Sequence, residues 1–295
     1  MHDYVLCCES TADYPPSFFE DRQIPLLCYR YDLDGTPGVD DLYRSTTPEE
    51  FFDALKNGAQ SRTSQPSTGE YVDLWEPHLK RGVDVLHVTL SSGVSGAYNG
   101  ACMAAELMAE RYPERTVRVV DSLAASSGFG LLVEQMADRR DAGMGLEELA
   151  RWAEDARLAV NHWFFVSDLD CLKRGGRVSS ASAVIATALK ICPVLDVDVE
   201  GRLVPRKKIR TAKKAIAELA RVFGERAELA SGQVGPCVIS HSQCREDAEE
   251  LARLVAELAP ELAGSISIHD IGTVIGSHTG PGTVALFFMG KRRDA

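Results

Sequence analysis

The chain has 295 residues, 45% hydrophobic and 25% charged, with a formal net charge of −11. That is enough for two domains of ordinary size with a core that needs neither disulfides nor metals, and the acidic balance argues against nucleic acid as the main partner. No apolar run reaches the roughly 20 residues of a membrane span, and Met1-His2-Asp3-Tyr4-Val5-Leu6 lacks the basic and apolar regions of a secretory signal, so a cytoplasmic protein is expected.

Tyr4 to Cys8 and Ile24 to Tyr31 are short apolar runs that read as strands. Thr47-Pro48-Glu49-Glu50 carries a capping residue, a proline at the first helical position and a glutamate three residues on, which predicts a helix to about Lys56. Ser67-Thr68-Gly69-Glu70 repeats the spacing and opens a helix toward Arg81. Val83 to Thr89 and Val117 to Asp121 read as strands, and Ser95 to Glu110, Ala124 to Arg140 and Glu147 to Ala159 as helices. Strands separated by helices imply βαβ units on a parallel sheet.

Beyond residue 160 the texture changes. A strand at His162 to Val166 leads into a Gly/Arg-rich bend and a short apolar helix, Ser182 to Leu189. Cys192 to Val199 and Arg202 to Lys208 flank Glu200-Gly201 as a hairpin. Helices at Thr211 to Phe223 and Asp247 to Leu258 alternate with strands at Val238 to His241, Ile266 to His269 and Val284 to Met289. The expected fold is α/β in two domains. Residues 1–158 form an N-terminal three-layer α/β domain with a parallel sheet, and residues 159–295 a C-terminal α+β domain.

Four polar segments are rich in small hydroxyl residues and glycine: 62–67 (RTSQPS), 91–96 (SSGVSG), 121–122 (DS) and 276–282 (GSHTGPG). Ser92 and Ser95 follow the carboxyl end of a predicted parallel strand, where ligands of open α/β sheets collect. A helix starting at Ser95 would offer free N–H groups to an anion, and His278, on a flexible loop, a further donor. Such a set suits a carboxylate or phosphate bound by hydrogen bonds rather than by a fixed cation, although hydroxyls at these junctions also serve simply as caps. A serine hydrolase using Ser95 and His278 is the alternative. Its G-x-S-x-G elbow is imperfect here, because the last glycine of Gly93-Val94-Ser95-Gly96 comes one position early. A third reading is a binding module for another small anion. Two basic clusters, Lys173-Arg174-Gly175-Gly176-Arg177 and Arg206-Lys207-Lys208-Ile209-Arg210, stand out in an acidic chain and suit an acidic partner or a phosphorylated head. The eight cysteines form no C-x-x-C pair and read as buried free thiols.

Taken together, and in their order along the chain, these segments resemble the DegV family, whose characterised members include the fatty acid-binding subunits (FakB) of bacterial fatty acid kinase. The matching residues are Ser10-Thr11-Ala12-Asp13, Thr63 to Ser67, Ser91 to Gly96, Asp121-Ser122, Leu172 to Ser179, Arg210-Thr211 with Lys213-Lys214-Ala215, and Ile275 to Gly282 followed by Leu286-Phe287-Phe288. The resemblance implies a long-chain fatty acid buried between two domains, its carboxylate held by Thr63, Ser95 or Ser92, Ser64 and His278. It implies no catalytic residues, cofactor or metal in this chain. A separate ATP-dependent kinase would phosphorylate the bound acid to an acyl phosphate for phospholipid synthesis, with Arg174, Arg177, Lys207 and Arg210 as candidates for docking it. Contact with a membrane surface is admitted, a membrane span is not. Ile185, Ile191 and Phe287 are residues of the right type to line the tail. One departure is Glu9 where the family usually has Asp, an extra methylene in a tight strand-end turn.

Overall fold

The computed structural model describes residues 3–167, 169–178, 191–228 and 235–294. The first part of the chain provides strands β1 (Tyr4–Glu9), β2 (Leu26–Leu27), β3 (Arg30–Leu33), β4 (Thr36–Val39), β5 (Ser61–Ser64), β6 (Asp84–Thr89) and β7 (Val117–Asp121). Strands β2-β1-β6-β7 form, in that order, a wholly parallel sheet. Helices α1 (Pro16–Asp21), α2 (Pro48–Lys56), α3 (Thr68–Lys80), α4 (Ala97–Arg111), α5 (Ser126–Asp141) and α6 (Leu146–Ala156) accompany them. Both predicted capping boxes are made: Glu50 N–H donates to Thr47 Oγ1, Thr47 N–H donates back to Glu50, and Ser67 and Glu70 repeat the exchange.

The later part builds β8 (Val160–Phe165), β9 (Ile191–Val197), β10 (Leu203–Arg210), β11 (Cys237–His241), β12 (Ser267–Asp270) and β13 (Val284–Met289), with helices α7 (Asp170–Arg174), α8 (Ala212–Arg226), α9 (Arg245–Leu258) and α10 (Thr273–Thr279). These strands make a mixed sheet in the order β10-β9-β8-β13-β11-β12. The predicted helix at Ser182 to Leu189, and with it Ile185, lies outside the described residues.

The two sheets are stacked with helices between and outside them. Tyr71 and Trp75 of α3 and Ala101, Ala104 and Met108 of α4 pack against Cys7 and Val85 on one face of the parallel sheet. Its other face, through Leu6, Leu86, Val88 and Val120, meets α5 and α6. Helix α5 is buried along most of its length because it also touches the mixed sheet, and the two sheets share one core through it. Glycine makes this fit possible: a Cβ on Gly128 would lie 2.3 Å from His162 Nε2 and 2.6 Å from the Phe287 ring. Along β13 the period of two is strict. Val284, Leu286 and Phe288 face α8 and α9, while Ala285 and Phe287 face α5.

One predicted strand is corrected. Ile24 to Tyr31 splits: Leu26–Leu27 joins β1, while Arg30–Leu33 enters a separate antiparallel sheet in the order β4-β3-β5. The hairpin between β3 and β4 turns at Asp34-Gly35, both at positive φ (49° and 83°), a dipeptide that favours this turn. No helix among the described residues is long and apolar enough to cross a membrane.

Candidate functional site

A cavity of about 370 Å³ lies where the carboxyl end of β6 meets the mixed sheet. Leu90, Val94 and Ala125 come from the parallel-sheet side, Phe164, Val197, Leu203, Ala285 and Phe287 from the mixed sheet, and Val274 and Ile275 from α10. These walls are apolar. Its polar lining includes Tyr29, Thr63, Ser64, Ser95, His162, Arg177 and His278.

Thr63 and His278 are brought together: Thr63 Oγ1 lies 2.8 Å from His278 Nε2. Thr63 sits on β5, not in a loop, and His278 sits on α10, not on a flexible segment. Helix α10 was hidden because it spans one pair of turns, contains Gly276 and Ser277, and lacks a side-chain cap. Yet Val274 and His278 are four apart, a helical spacing that places both toward the cavity. Burial, assisted by the nearby Arg177 cation, pushes the His278 imidazole down to about 4, so the ring is neutral at physiological pH. Its Nδ1 has no hydrogen-bond partner among the described residues. A buried N–H left unpaired costs more than a bare lone pair. Hydrogen-bond accounting therefore assigns the proton to Nε2, which donates to Thr63 Oγ1. The Thr63 hydroxyl keeps its own proton for an anion in the cavity.

Gly175 packs against that bare nitrogen; a Cβ there would lie 2.2 Å from His278 Nδ1. Gly175→Ala is expected to push the ring off Thr63 and weaken binding of a carboxylate ligand about tenfold, the size of one lost hydrogen bond to a charged group. Fluorescent-ligand displacement checks this, and an unchanged affinity would show that the imidazole does not matter.

Ser95 also lines the cavity, but helix α4 begins at Ala97 with Gly96 as its cap, two residues later than expected. Ser95 Oγ accepts the Ala97 N–H at 3.2 Å, and its hydroxyl is within hydrogen-bond reach of the buried Tyr29 hydroxyl. Ser64 lines the cavity from the end of β5. Ser92 does not: it is exposed, and its N–H donates to Asp121 Oδ1 at 3.1 Å. Phe287 lines the cavity, whereas Ile191, the first residue of β9, is not among its lining residues.

A cation at the site corrects the expectation of neutral donors alone. Arg177, half-buried, donates from Nε to Val94 O at 3.1 Å and from Nη1 to Gly175 O, and its guanidinium lines the cavity. With two of its five donors spent on carbonyls, it retains capacity for an anion. Nothing in the spacing of Gly175-Gly176-Arg177 says that the bend folds inward. Behind the wall, Glu9 is fully buried and accepts from Tyr29 Oη at 2.9 Å, from Leu90 N–H at 2.8 Å and from Tyr71 Oη.

The remaining basic candidates stay outside. Arg174 and Arg210 are exposed, and Lys207 forms an ion pair with Glu218 at 2.6 Å. His278 Nε2 is paired with Thr63 and Ser95 Oγ with the Ala97 N–H, so the hydrogen bonds seen at these two residues are not those of a Ser–His pair. No group of three or more His, Cys, Asp or Glu among the described residues is arranged to hold a metal, and no disulfide joins any two of the cysteines, all of which lie among the described residues.

A family model described as "Uncharacterised protein, DegV family" matches residues 5–291. A DegV domain-containing protein of Clostridium perfringens is 37% identical over 294 residues, covering 100% of both chains. One from Streptococcus pyogenes is 33% identical over 293 residues, covering 98% of both. Among solved structures, a fatty acid-binding DegV family protein from Thermus thermophilus superposes with a TM-score of 0.84 at 29% identity, covering 99% of this chain and 100% of the other. The fatty acid-binding DegV family protein from Streptococcus agalactiae gives 0.84 at 28% identity with the same coverage.

Proposed function

Because the chain belongs to the DegV family, we propose that it binds one long-chain fatty acid in the cavity between its sheets and presents the carboxylate to a separate ATP-dependent kinase. The observation that carries this reading is an apolar cavity ending on the Thr63–His278 pair, with Ser95 and Arg177 beside it. Relatives of the same fold bind fatty acids.

The physics is consistent. Each buried methylene contributes about 0.8 kcal/mol, so a long tail supplies the affinity. The head needs only charge satisfaction, because a bare carboxylate in a dry pocket is costly. Thr63, Ser95 and Arg177 can each donate to it, and the neutral His278 orients Thr63. The chain itself then acts as the substrate-carrying subunit, in the manner of the FakB proteins, and the kinase supplies the phosphoryl group for an acyl phosphate. Mass spectrometry of lipid extracted from the purified protein is expected to show long-chain fatty acid near one mole per mole. A preparation that carries none, and takes none up after delipidation, overturns the reading.

Arg174 and Arg210, exposed and basic, with Lys207, form the docking surface for the kinase. Arg174→Glu is expected to leave fatty acid affinity within twofold while lowering the rate of acyl phosphate formation by tenfold or more with the kinase present. Equal rates for the variant and the parent protein remove Arg174 from the interface.

A further inference from the structure

Strand register at the edge of the mixed sheet sets two side chains next to each other. Strands β11 and β12 run parallel, and His241 pairs with Asp270 as the last residue of each. The carboxyl ends of neighbouring parallel strands are where ligands of open sheets collect. A cleft of about 660 Å³ opens there, beside the starts of α2 and α9, and it shares no lining residue with the Thr63–His278 cavity.

His241 is 4% exposed, lines this cleft, and has no hydrogen-bond partner at either ring nitrogen among the described residues. A neutral imidazole carries one N–H and one lone pair, so burying both unpaired is costly. Its Nδ1 stands 3.7 Å from Asp270 Oδ1. That is too long for a hydrogen bond, but two donors held about 2.1 Å from one tetrahedral ion stand about 3.4 Å apart. Gln243 lines the same cleft, and its Oε1 is likewise buried without such a partner. Its Nε2 donates to Glu49 O at 3.2 Å and to Asp53 Oδ1 at 3.1 Å, which fixes the end of the amide that is oxygen. Charge agrees with a cation. Glu49, Glu246, Asp247 and Asp270 face Lys56 and Arg245 across the cleft, and those two cations are paired with Asp53 at 3.6 Å and Glu249 at 2.8 Å. Cys244 is engaged elsewhere, its Sγ donating to Thr283 O at 3.2 Å.

We infer that His241, Asp270 and Gln243 form a binding site for a divalent transition-metal cation of the zinc class. One imidazole nitrogen with carboxylate and carboxamide oxygens suits zinc better than magnesium or calcium, which take oxygen alone. Burial holds the imidazole below its usual range, so it is neutral and able to ligate at pH 7.5. Three protein donors leave a position of a tetrahedral ion to water. The exposed Glu49, whose charge reaches Asp270, stands by as a further carboxylate. The site is independent of the fatty acid reading.

Zinc chloride titrated calorimetrically at pH 7.5 into the full chain, after EDTA treatment and dialysis, is expected to show one equivalent bound and a raised melting temperature. Asp270→Asn keeps the size of an exposed side chain and should weaken zinc at least about tenfold, and His241→Ala should do the same. Excess magnesium should not displace the zinc. X-ray absorption at the zinc edge should show nitrogen and oxygen neighbours, an imidazole among them and no sulfur, which separates this site from the eight cysteines. No binding by the parent protein, an unchanged affinity in either folded variant, displacement by magnesium, or a sulfur-ligated ion overturns the site.

Discussion

Replacing Ala285 with tryptophan is expected to abolish long-chain fatty acid binding while the protein stays folded. Ala285 is buried on β13, opposite Phe164 on β8, and both line the cavity. An indole there projects into space that is otherwise open to the tail. If it displaces about five methylenes, the loss is about 4 kcal/mol at 0.8 kcal/mol each, roughly a thousandfold in affinity. The packing cost of a larger core side chain is about 1–3 kcal/mol, within the 5–15 kcal/mol that holds an ordinary domain together. A cavity accepts the extra volume at the low end of that range. Displacement of a fluorescent fatty acid, with a circular dichroism melt on the same sample, reads both effects. Affinity retained in a folded Ala285→Trp variant would place the tail elsewhere.

The second large effect falls on the head. Thr63→Ala combined with Ser95→Ala is expected to weaken fatty acid binding by at least a hundredfold with little change in melting temperature. Each removes a hydrogen bond to a charged group, worth about 1.5–3 kcal/mol. Thr63→Ala does further harm, since the His278 Nε2–H loses its acceptor and the ring its alignment. A long-chain alcohol, which carries no charge, should lose far less than the acid. Thr63→Ser should restore most of the affinity, because it returns the hydroxyl. If acid and alcohol are weakened equally, the two residues shape the pocket and do not hold the carboxylate.

Arg177 alters how the head is understood. Hydroxyls alone would leave the carboxylate's charge unanswered in a desolvated site, and the structure supplies a guanidinium fastened at both sides by carbonyls of Val94 and Gly175. It lines the same cavity as Thr63 and His278, where its remaining donors can meet an anion. That position is less suited to docking a protein than the exposed Arg174 and Arg210.

Much of this molecule is legible from local chemistry. Thr47 with Glu50, and Ser67 with Glu70, announce their helices because a capping box involves only four consecutive residues. The strands of the parallel sheet are visible for the same reason: Val83 to Thr89 is mostly apolar because both its faces are covered. The split of Ile24 to Tyr31 between two sheets is not visible, since nothing within the run marks which residues pair with β1 and which with β5. Helix α10 is missed because its stability comes from packing, not from propensity or a cap.

The hydroxyl segments, the histidine and the arginines are evident in the chain as chemistry, and their order identifies the family. Their arrangement is a different matter. Thr63 and His278 stand 215 positions apart, and no short-range pattern can state that they share a hydrogen bond. Only the stacking of two sheets about α5 sets that distance, turns Arg177 inward, leaves Ser92 outside, and opens a hollow among residues that would otherwise read as ordinary core. Propensity and capping act over a few residues, whereas a cavity is a property of surfaces brought together from the whole length of the chain.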